Sequence, residues 1–568
     1  MKTLILTFLL CITPLISKAQ EPQLQWAKSI GGVSNEDGHS IAVDALGNLY
    51  TIGSFRGTVD FDPSPGIFNL SATGTHDIFI SKFDPLGSFV WTKQIYGTAV
   101  HANYSIVLDP FGNMYVTGNY QTTVDFDPNE GIYNLTSTDG GEDDMFFLKL
   151  DSEGNFIWAK TIGGLSKYES TQAIAADKLG NVYVTGSFEG RTDFDPGDST
   201  FYLSSAGLED IFILKLDRLG NLVWAKQIGG KADDYGNSIV IDESGNLYTT
   251  GYFSRSSDFD PGQGTFFLTP NGIDDVFILR LDSSGNFVWA KQIGGSKYDI
   301  GKSIAIASSG NLFITGYFEE KVDFNPGKDT SYLTSIVNDD VFILKLDNSG
   351  NFIWAKRIGD TSDINATNII VDASENVYLA GYFQGTLDFD PSINTLNLTS
   401  IGKDDIFILK LDGLGNLIWT KKIGSPELDY GSSMATDIYG DLYCVSGFSE
   451  TINCGTSINT FNLTSAGGRD ILFMKLTQTP EDVYQTSEFP SSLNIYPNPT
   501  NSTVTVNFGK QITNGTIKLT NMMGQIVIQQ SEINSTSVNL DIDHLAKDLY
   551  FIEVVGNGNT TRMKFIKD

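Results

Sequence analysis

Cysteine, histidine and methionine are scarce in this chain, at 3, 4 and 8 of 568 residues. Three cysteines cannot staple a chain of this length, so its stability must come from burial and not from a disulfide framework. The four histidines, His39, His76, His101 and His544, form no metal-binding spacing, and no nucleophile motif or phosphate loop is present. Basic residues are few as well: 37 Lys and Arg stand against 68 Asp and Glu, a formal net charge of −31. A surface this acidic repels phosphate backbones, which excludes nucleic acid as a partner. Cations, basic proteins and neutral polymers remain open, and solubility alone is a sufficient use for such charge. Beyond residue 20 there is no apolar run long enough for a transmembrane segment, and no amphipathic helical period of useful length.

What is abundant is glycine, at 58 residues, and aromatic residues, at 12%. Gly-rich turns between aromatic and β-branched runs indicate an all-β fold. The N-terminus carries Lys2, an apolar run from Leu4 to Ile16, and Ser17-Lys18-Ala19 as a small-x-small cleavage signal. Residues 1–19 are therefore expected to be a signal peptide removed after Ala19. Cys11 lies inside it, which leaves Cys444 and Cys454 in the mature chain. Two cysteines in an exported protein can pair.

All seven tryptophans occupy one repeat position: Trp26, Trp91, Trp158, Trp224, Trp289, Trp354 and Trp419, spaced by 65, 67, 66, 65, 65 and 65 residues. One unit holds four expected strands: a at Ser238–Ile241, b at Asn246–Phe253, c at Asp275–Leu281 and d at Asn286–Ile293. The a–b and c–d joints share a D-x-x-G-N pattern, as in Asp242 to Asn246. There Asp bonds the backbone ahead of it and Gly supplies a positive φ. Tight a–b and c–d turns trim one end of the unit, while longer b–c and d–a connections decorate the other. The first copy begins with only a d strand around Trp26, and the last ends with only a c strand, Ile471 to Leu476. Each end supplies what the other lacks. A seven-bladed β-propeller over residues 20–476, closed by the N-terminal strand, follows from this, since closure covers the open edge.

The repeat resembles the β-propeller repeats called SBBP, and more loosely NHL-type propellers. The likeness rests on Ser40 to Gly53 and its sister copies, with Asp210 to Asp217 and its counterparts after each. It implies a fold and says little of activity, because propellers host many unrelated functions. After a polar linker at 477–487, residues 488–568 read as alternating strands split by turns, a small β-sandwich. This segment resembles the type A sorting domain of the type IX secretion system of Bacteroidetes. The likeness is carried by Tyr496-Pro497-Asn498-Pro499, by Asn521 to Gln525 with Gly524, by Leu545 to Val554, and by the basic end with Lys564 and Lys567. Asp548 departs from the family, which often has Gly there. The resemblance implies the type IX machinery as a partner, passage through the periplasm and across the outer membrane, and release or attachment at the cell surface.

The b–c insert holds the most distinctive motif: Asp60-Phe-Asp62, Asp125-Phe-Asp127, Asp193-Phe-Asp195, Asp258-Phe-Asp260, Asp323-Phe-Asn325 and Asp388-Phe-Asp390, each followed by Pro. The seventh copy is Asn453-Cys454-Gly455. On an extended chain the two carboxylates fall on one side and the Phe on the other. Three readings stand: an Asx turn with Phe buried between blades, a calcium site helped by the acid that opens strand c, or direct ligand contact. Cys444 and Cys454 both fall in the copy that lost the motif, so a disulfide between them is expected to replace the missing Phe packing. The expected function is extracellular binding of a glycan or protein without catalysis. A structural or adhesive surface protein and a polysaccharide-active enzyme are the alternatives.

Overall fold

The Gly-Asn turns and the apolar runs between them fold as antiparallel meanders. The computed structural model describes residues 21–567 except 98–103, 139–142, 165–167, 338, 456–458, 478–493, 497–501, 509–510, 514, 521–525, 547 and 557–558. The expected signal peptide and most of the expected linker lie outside the described residues. All regular structure within them is strand.

Blade 4 shows the pattern. Strands a (Asp234–Ile241), b (Leu247–Phe253), c (Asp275–Leu281) and d (Phe287–Ile293) pair in the order a-b-c-d. Strands b and c are buried on both faces along most of their length, so they read as unbroken apolar runs and not as alternation. Six further meanders repeat this order. In blade 7 the strands Tyr430–Thr436, Leu442–Phe448 and Asp470–Thr477 are completed by the N-terminal strand Gln23–Ile30, which pairs antiparallel from Gln23 opposite Thr477 to Ile30 opposite Ile471. Each strand a packs against that of the next blade, and blade 7 returns to blade 1 at Asp37–Val43. Across the joint the Tyr443 hydroxyl lies 3.3 Å from the Gly47 carbonyl, and Arg469 pairs with Asp37 at 2.5 Å. The N-terminal strand thus covers the edge that blade 7 would otherwise expose.

Two features depart from the expectation. Strand a of blade 4 starts at Asp234, so the d–a connection that enters it is only residues 229–233, not a long loop. A β-bulge between Gly236 and Ser238 interrupts the alternation there and hides the start of the strand. The b–c insert is no bare loop either. It forms its own short hairpin, Ser257–Asp258 with Phe267–Leu268.

The tryptophans join blades. Trp26 of blade 7 donates from Nε1 to the Pro85 carbonyl in the c–d turn of blade 1. Its indole lies over Gly87 in that turn, where a Cβ would sit 2.8 Å from the ring. Gly87 has φ +74, so both conformation and space require glycine. The apolar clusters likewise straddle neighbours: Tyr248, Ile278 and Ile293 of blade 4 pack with Ile304, Leu312 and Phe318 of blade 5.

A second compact unit spans Pro480–Asp568. A three-stranded sheet (Asn494–Tyr496, Thr503–Asn507, Ser537–Asp541) packs against a four-stranded one (Gly515–Thr520, Ile526–Ile533, Asp548–Gly556, Asn559–Lys567). Val504, Val506 and Leu540 meet Ile517, Leu519, Ile552 and Val554 between them. This is the small sandwich.

Candidate binding surface

The a–b and c–d turns share one end of the blades, and their aspartates are occupied within the turns. Asp242 Oδ1 accepts from the Ser244 and Asn246 N–H groups at 2.9 Å, and its Oδ2 accepts from the Asn246 amide and the Tyr248 hydroxyl. Gly245 stands at φ +81. Side-chain acceptors here close hairpins.

At the opposite end the D-F-D motif is also a turn. Asp258 Oδ1 accepts from the Asp260 N–H at 3.1 Å and from the Phe266 N–H at 2.7 Å, and Asp260 Oδ1 accepts from the Gly262 N–H. The same clasp recurs at Asp60 and Asp62, Asp125 and Asp127, Asp193 and Asp195, Asp323 and Asn325, and Asp388 and Asp390. Phe259 is fully buried against Phe253 and Phe277, with centroids at 5.2 and 5.1 Å. The six copies stay on six separate hairpins. Among the described residues no group of three or more His, Cys, Asp or Glu comes together as a metal site. In blade 7, Cys454 takes the Phe position and Cys444 sits on strand b, opposite Met434 and Met474. Against expectation the two form no disulfide: both are free thiols, buried in one apolar cluster. Burial holds them protonated, the Cys454 thiol being pushed up to about 12, so each acts as a small apolar filler.

The acid that opens strand c does not join the D-F-D acids. Asp77, Asp144, Asp210, Asp275, Asp340, Asp405 and Asp470 are all buried. Asp275 Oδ2 accepts from the Asn271 N–H and the Gln292 amide, and its carboxylate fills the space over Gly294, where a Cβ would lie 2.1 Å from Cγ. This is why strand d ends in Ile-Gly-Gly. A second buried acid opens strand a of most blades: Glu36, Glu169, Asp234, Asp299 and Asp429. Burial first, and then the acid across the Gly-Gly joint, pushes Asp234 and Asp299 up to about 7. Asp210 and Asp470 are pushed up to about 6 by burial.

Between these strand starts lies an arc that the repeat does not explain. The penultimate residue of strand b is Ser54, Asn119, Ser187, Tyr252, Tyr317, Tyr382 and Gly447 in blades 1 to 7. Tyrosine therefore occupies three consecutive blades. Strand a adds Tyr235 in blade 4 and Tyr430 in blade 7. Tyr235 stacks on Tyr252 at 4.9 Å and 20°, and Tyr382 meets Tyr430 edge-on at 5.3 Å. The Tyr235 hydroxyl donates to Glu209 at 2.7 Å. Arg469 caps the far end, its guanidinium 5.2 Å from the Tyr430 ring. Acids interleave the rings: Asp274 and Glu209 act on Tyr252, and Asp339, Asp274 and Glu319 on Tyr317. Burial and then these charges push the Tyr317 phenol up to about 12, so it stays neutral. Tyr252, Tyr317, Tyr382 and Tyr430 are half-buried, yet among the described residues their hydroxyls have no hydrogen-bond partner. Beside Tyr382 a pocket of about 120 Å³ is lined by Asp339, Asp363, Ile364, Asn365 and Asp404. The sequence did carry a signal for this arc: copies 4 to 6 read Gly-Tyr-Phe where copies 1 and 3 read Gly-Ser-Phe.

In the C-terminal unit, Tyr496 is exposed at the end of its strand. Pro497, Asn498, Pro499 and Gly524 lie outside the described residues. Lys564 sits on the edge strand opposite Phe551, and Lys567 is buried opposite Asp548.

Comparison with known proteins agrees with this architecture. Residues 494–568 match the secretion system C-terminal sorting domain, and residues 157–187, 223–252 and 288–317 match the SBBP beta-propeller repeat. The chain is 24% identical over 510 residues to an uncharacterized WD repeat-containing protein of Acanthamoeba polyphaga mimivirus, covering 75% of this chain and 36% of that one. It is 23% identical over 285 residues to the regulatory protein FlaEY of Caulobacter vibrioides, covering 48% and 28%. The chain thus spans about a third of the length of these relatives. Among solved structures, a catalytically inactive virginiamycin B lyase of Staphylococcus aureus is similar at 10% identity and TM-score 0.35, covering 79% of this chain and 98% of that one. A Synechocystis apocarotenoid oxygenase is similar at 12% and 0.34, covering 81% and 94%. Likenesses this distant carry no argument about activity. The chain thus carries three matched SBBP β-propeller repeats and, at residues 494–568, a secretion sorting domain that implies export to the cell surface or beyond it.

Proposed function

We propose that the protein is a secreted, non-catalytic binding protein whose propeller presents the tyrosine arc to an extracellular glycan or protein. The observation that carries this is the departure of the arc from the repeat. Seven copies share the duties of folding, and the turn, hairpin and strand-start residues recur because each copy needs them. Tyr252, Tyr317 and Tyr382 recur in three copies only, stand in consecutive blades, and have hydroxyls with no hydrogen-bond partner among the described residues. Half-buried tyrosine with a free polar tip is a favoured binding side chain, with a large contact area and little conformational entropy to lose. The reading as non-catalytic is supported by the sequence, in which the histidines form no metal-binding spacing and no nucleophile motif or phosphate loop is present.

The test is a glycan and protein array probed with the secreted chain and with a Tyr252→Ala/Tyr317→Ala/Tyr382→Ala variant. Binding that disappears in the variant at an unchanged melting temperature supports the reading. Equal signals from both, or none from either, favour a structural or adhesive role. For the route, truncation after residue 490 should leave a folded propeller in the periplasm, and a normal extracellular yield of the truncated chain would refute the sorting role of the C-terminal unit.

A further inference from the structure

The pocket beside Tyr382 differs from the rest of the arc. Its walls come from blade 5 (Asp339) and blade 6 (Asp363, Ile364, Asn365, Tyr382 and Asp404). Ile364 stands where Glu36, Glu169, Asp234, Asp299 and Asp429 open strand a in other blades. The buried acid of the repeat has thus been exchanged here for an aliphatic wall, while acidic side chains line the pocket itself. Asp340, its neighbour in the fold, is neutralised by Arg357 at 2.5 Å. Asp339 has an acid for a partner instead: burial first, then the charge of Glu319 and a hydrogen bond shared with it, then Asp363 and Asp340, push its carboxyl up to about 6. Asp404 is raised in the same sense, by burial and by Asp363.

We propose that this pocket receives a lysine or arginine side chain, so that the ligand of the arc is a basic polypeptide. This rests on the arc being a binding surface. Carboxylates around a partly buried space repel one another, and a cation placed among them relieves that repulsion, which neutral sugar hydroxyls do not. The Tyr382 ring offers its face to an ammonium or guanidinium group, and Ile364 offers apolar contact to the methylene stem. Those two walls suit an organic cation better than a metal ion, which wants convergent oxygens; among the described residues no three acids converge here. The net charge of −31 steers a basic partner toward the protein and an anionic one away.

The experiment measures binding of two blocked ten-residue peptides, alternating Gly-Arg and alternating Gly-Gln, to the full secreted chain at low and physiological salt. Two variants with the same change of charge are compared: Asp339→Asn/Asp404→Asn in the pocket, and Asp258→Asn/Asp260→Asn on a hairpin. The expected result is binding of the arginine peptide only, at least tenfold weaker to the pocket variant and within twofold of wild type for the hairpin variant. Tyr382→Ala should weaken it comparably, with melting temperatures confirming that each variant folds. Equal loss in both charge variants would mean general attraction to an acidic surface and would overturn the proposal, as would no difference between the two peptides. Neutral glycans that bind and are lost in the triple tyrosine variant, with no arginine-peptide binding, would overturn the basic ligand while leaving the arc as a binding surface. Failure of every probe with an unaffected triple variant would remove that reading as well.

Discussion

At the turn end of the blades, six tyrosines, Tyr50, Tyr115, Tyr183, Tyr248, Tyr378 and Tyr443, donate their hydroxyls to the aspartate of the adjacent D-x-x-G-N turn or its variant. Blade 5 has Phe313 at this position and Ala307 in place of the aspartate, so donor and acceptor are lost together. At the insert end, Tyr252, Tyr317 and Tyr382 have no such partner among the described residues and occur only in consecutive blades. One residue type thus does two jobs. Where it recurs with its acceptor it belongs to the fold. Where it departs from the repeat and leaves a polar group idle, it is free for recognition. In a repeat protein the informative positions are those that break the symmetry.

The comparison presupposes a closed ring, and the largest effect tests that. Deleting residues 20–30 removes the fourth strand of blade 7, exposes the edge of Asp470–Thr477 and takes Trp26 from the c–d turn of blade 1. The deletion variant should unfold or associate, as read by size-exclusion chromatography and thermal melting; a monomer with the wild-type melting temperature would sink the ring.

Tyr248→Ala and Tyr317→Ala set the two ends against each other directly. The first empties a fully buried site and should cost about 3–5 kcal/mol, whereas the second should cost under about 1 kcal/mol in urea unfolding. Comparable losses would erase the distinction between structural and recognition tyrosines.

The buried acids make the insert end the pH-sensitive one. Glu36, Asp234 and Asp299, at about 7, and Asp210, Asp429 and Asp470, at about 6, are raised above their unfolded values mainly by burial. Between pH 4 and 7 the folded chain therefore binds more protons than the unfolded one, and stability falls as pH rises through the folded values. The turn-end acids Asp151, Asp217, Asp282 and Asp347 are lowered by their N–H and amide donors, so their stabilisation is lost only on further acidification. A tenfold change in proton affinity on folding corresponds to about 1.4 kcal/mol. A higher melting temperature at pH 5 than at pH 8 is expected. Asp299→Asn should reduce that difference; a flat profile over this range would show that these carboxyls titrate normally.

The smallest effect is expected from the D-F-D hairpins. Asp258→Asn/Asp260→Asn keeps an oxygen acceptor at each turn and should change stability by less than about 1 kcal/mol. With the acids serving as turn formers, millimolar Ca²⁺ and Na⁺ at matched ionic strength should give the same melting curve. A rise specific to Ca²⁺ and reduced in the double variant would establish the metal reading instead.

The repeat, the turns, the N-terminal strand that completes blade 7 and the export signal at the C-terminus were legible in the chain because each is written in contiguous residues. Asp242 and Asn246 are four apart, the Trp spacing is near 65, and a missing half-blade at one end is visible against its complement at the other. The bulge at Gly236 was not legible, because it shifts the alternation by which a strand is recognised. Nor were the roles of the buried acids. Asp275 sits under Gly294 of its own blade and acts on Asp299 of the next, and sequence alone does not tell a turn aspartate from one sealed between blades. Cys444 and Cys454 looked like a pair because they are near in sequence and change together, whereas the structure leaves both as free thiols within one apolar cluster. The tyrosine arc was written in the Gly-Tyr-Phe copies, but only as three scattered substitutions. Strand pairing brings Tyr235 opposite Tyr252, and blade packing sets Tyr382 against Tyr430; those neighbours are 17 and 48 residues apart along the chain. Local hydrogen-bond chemistry and periodicity belong to the sequence, but which side chains share a surface depends on which strands end beside one another, and only the closed tertiary structure decides that.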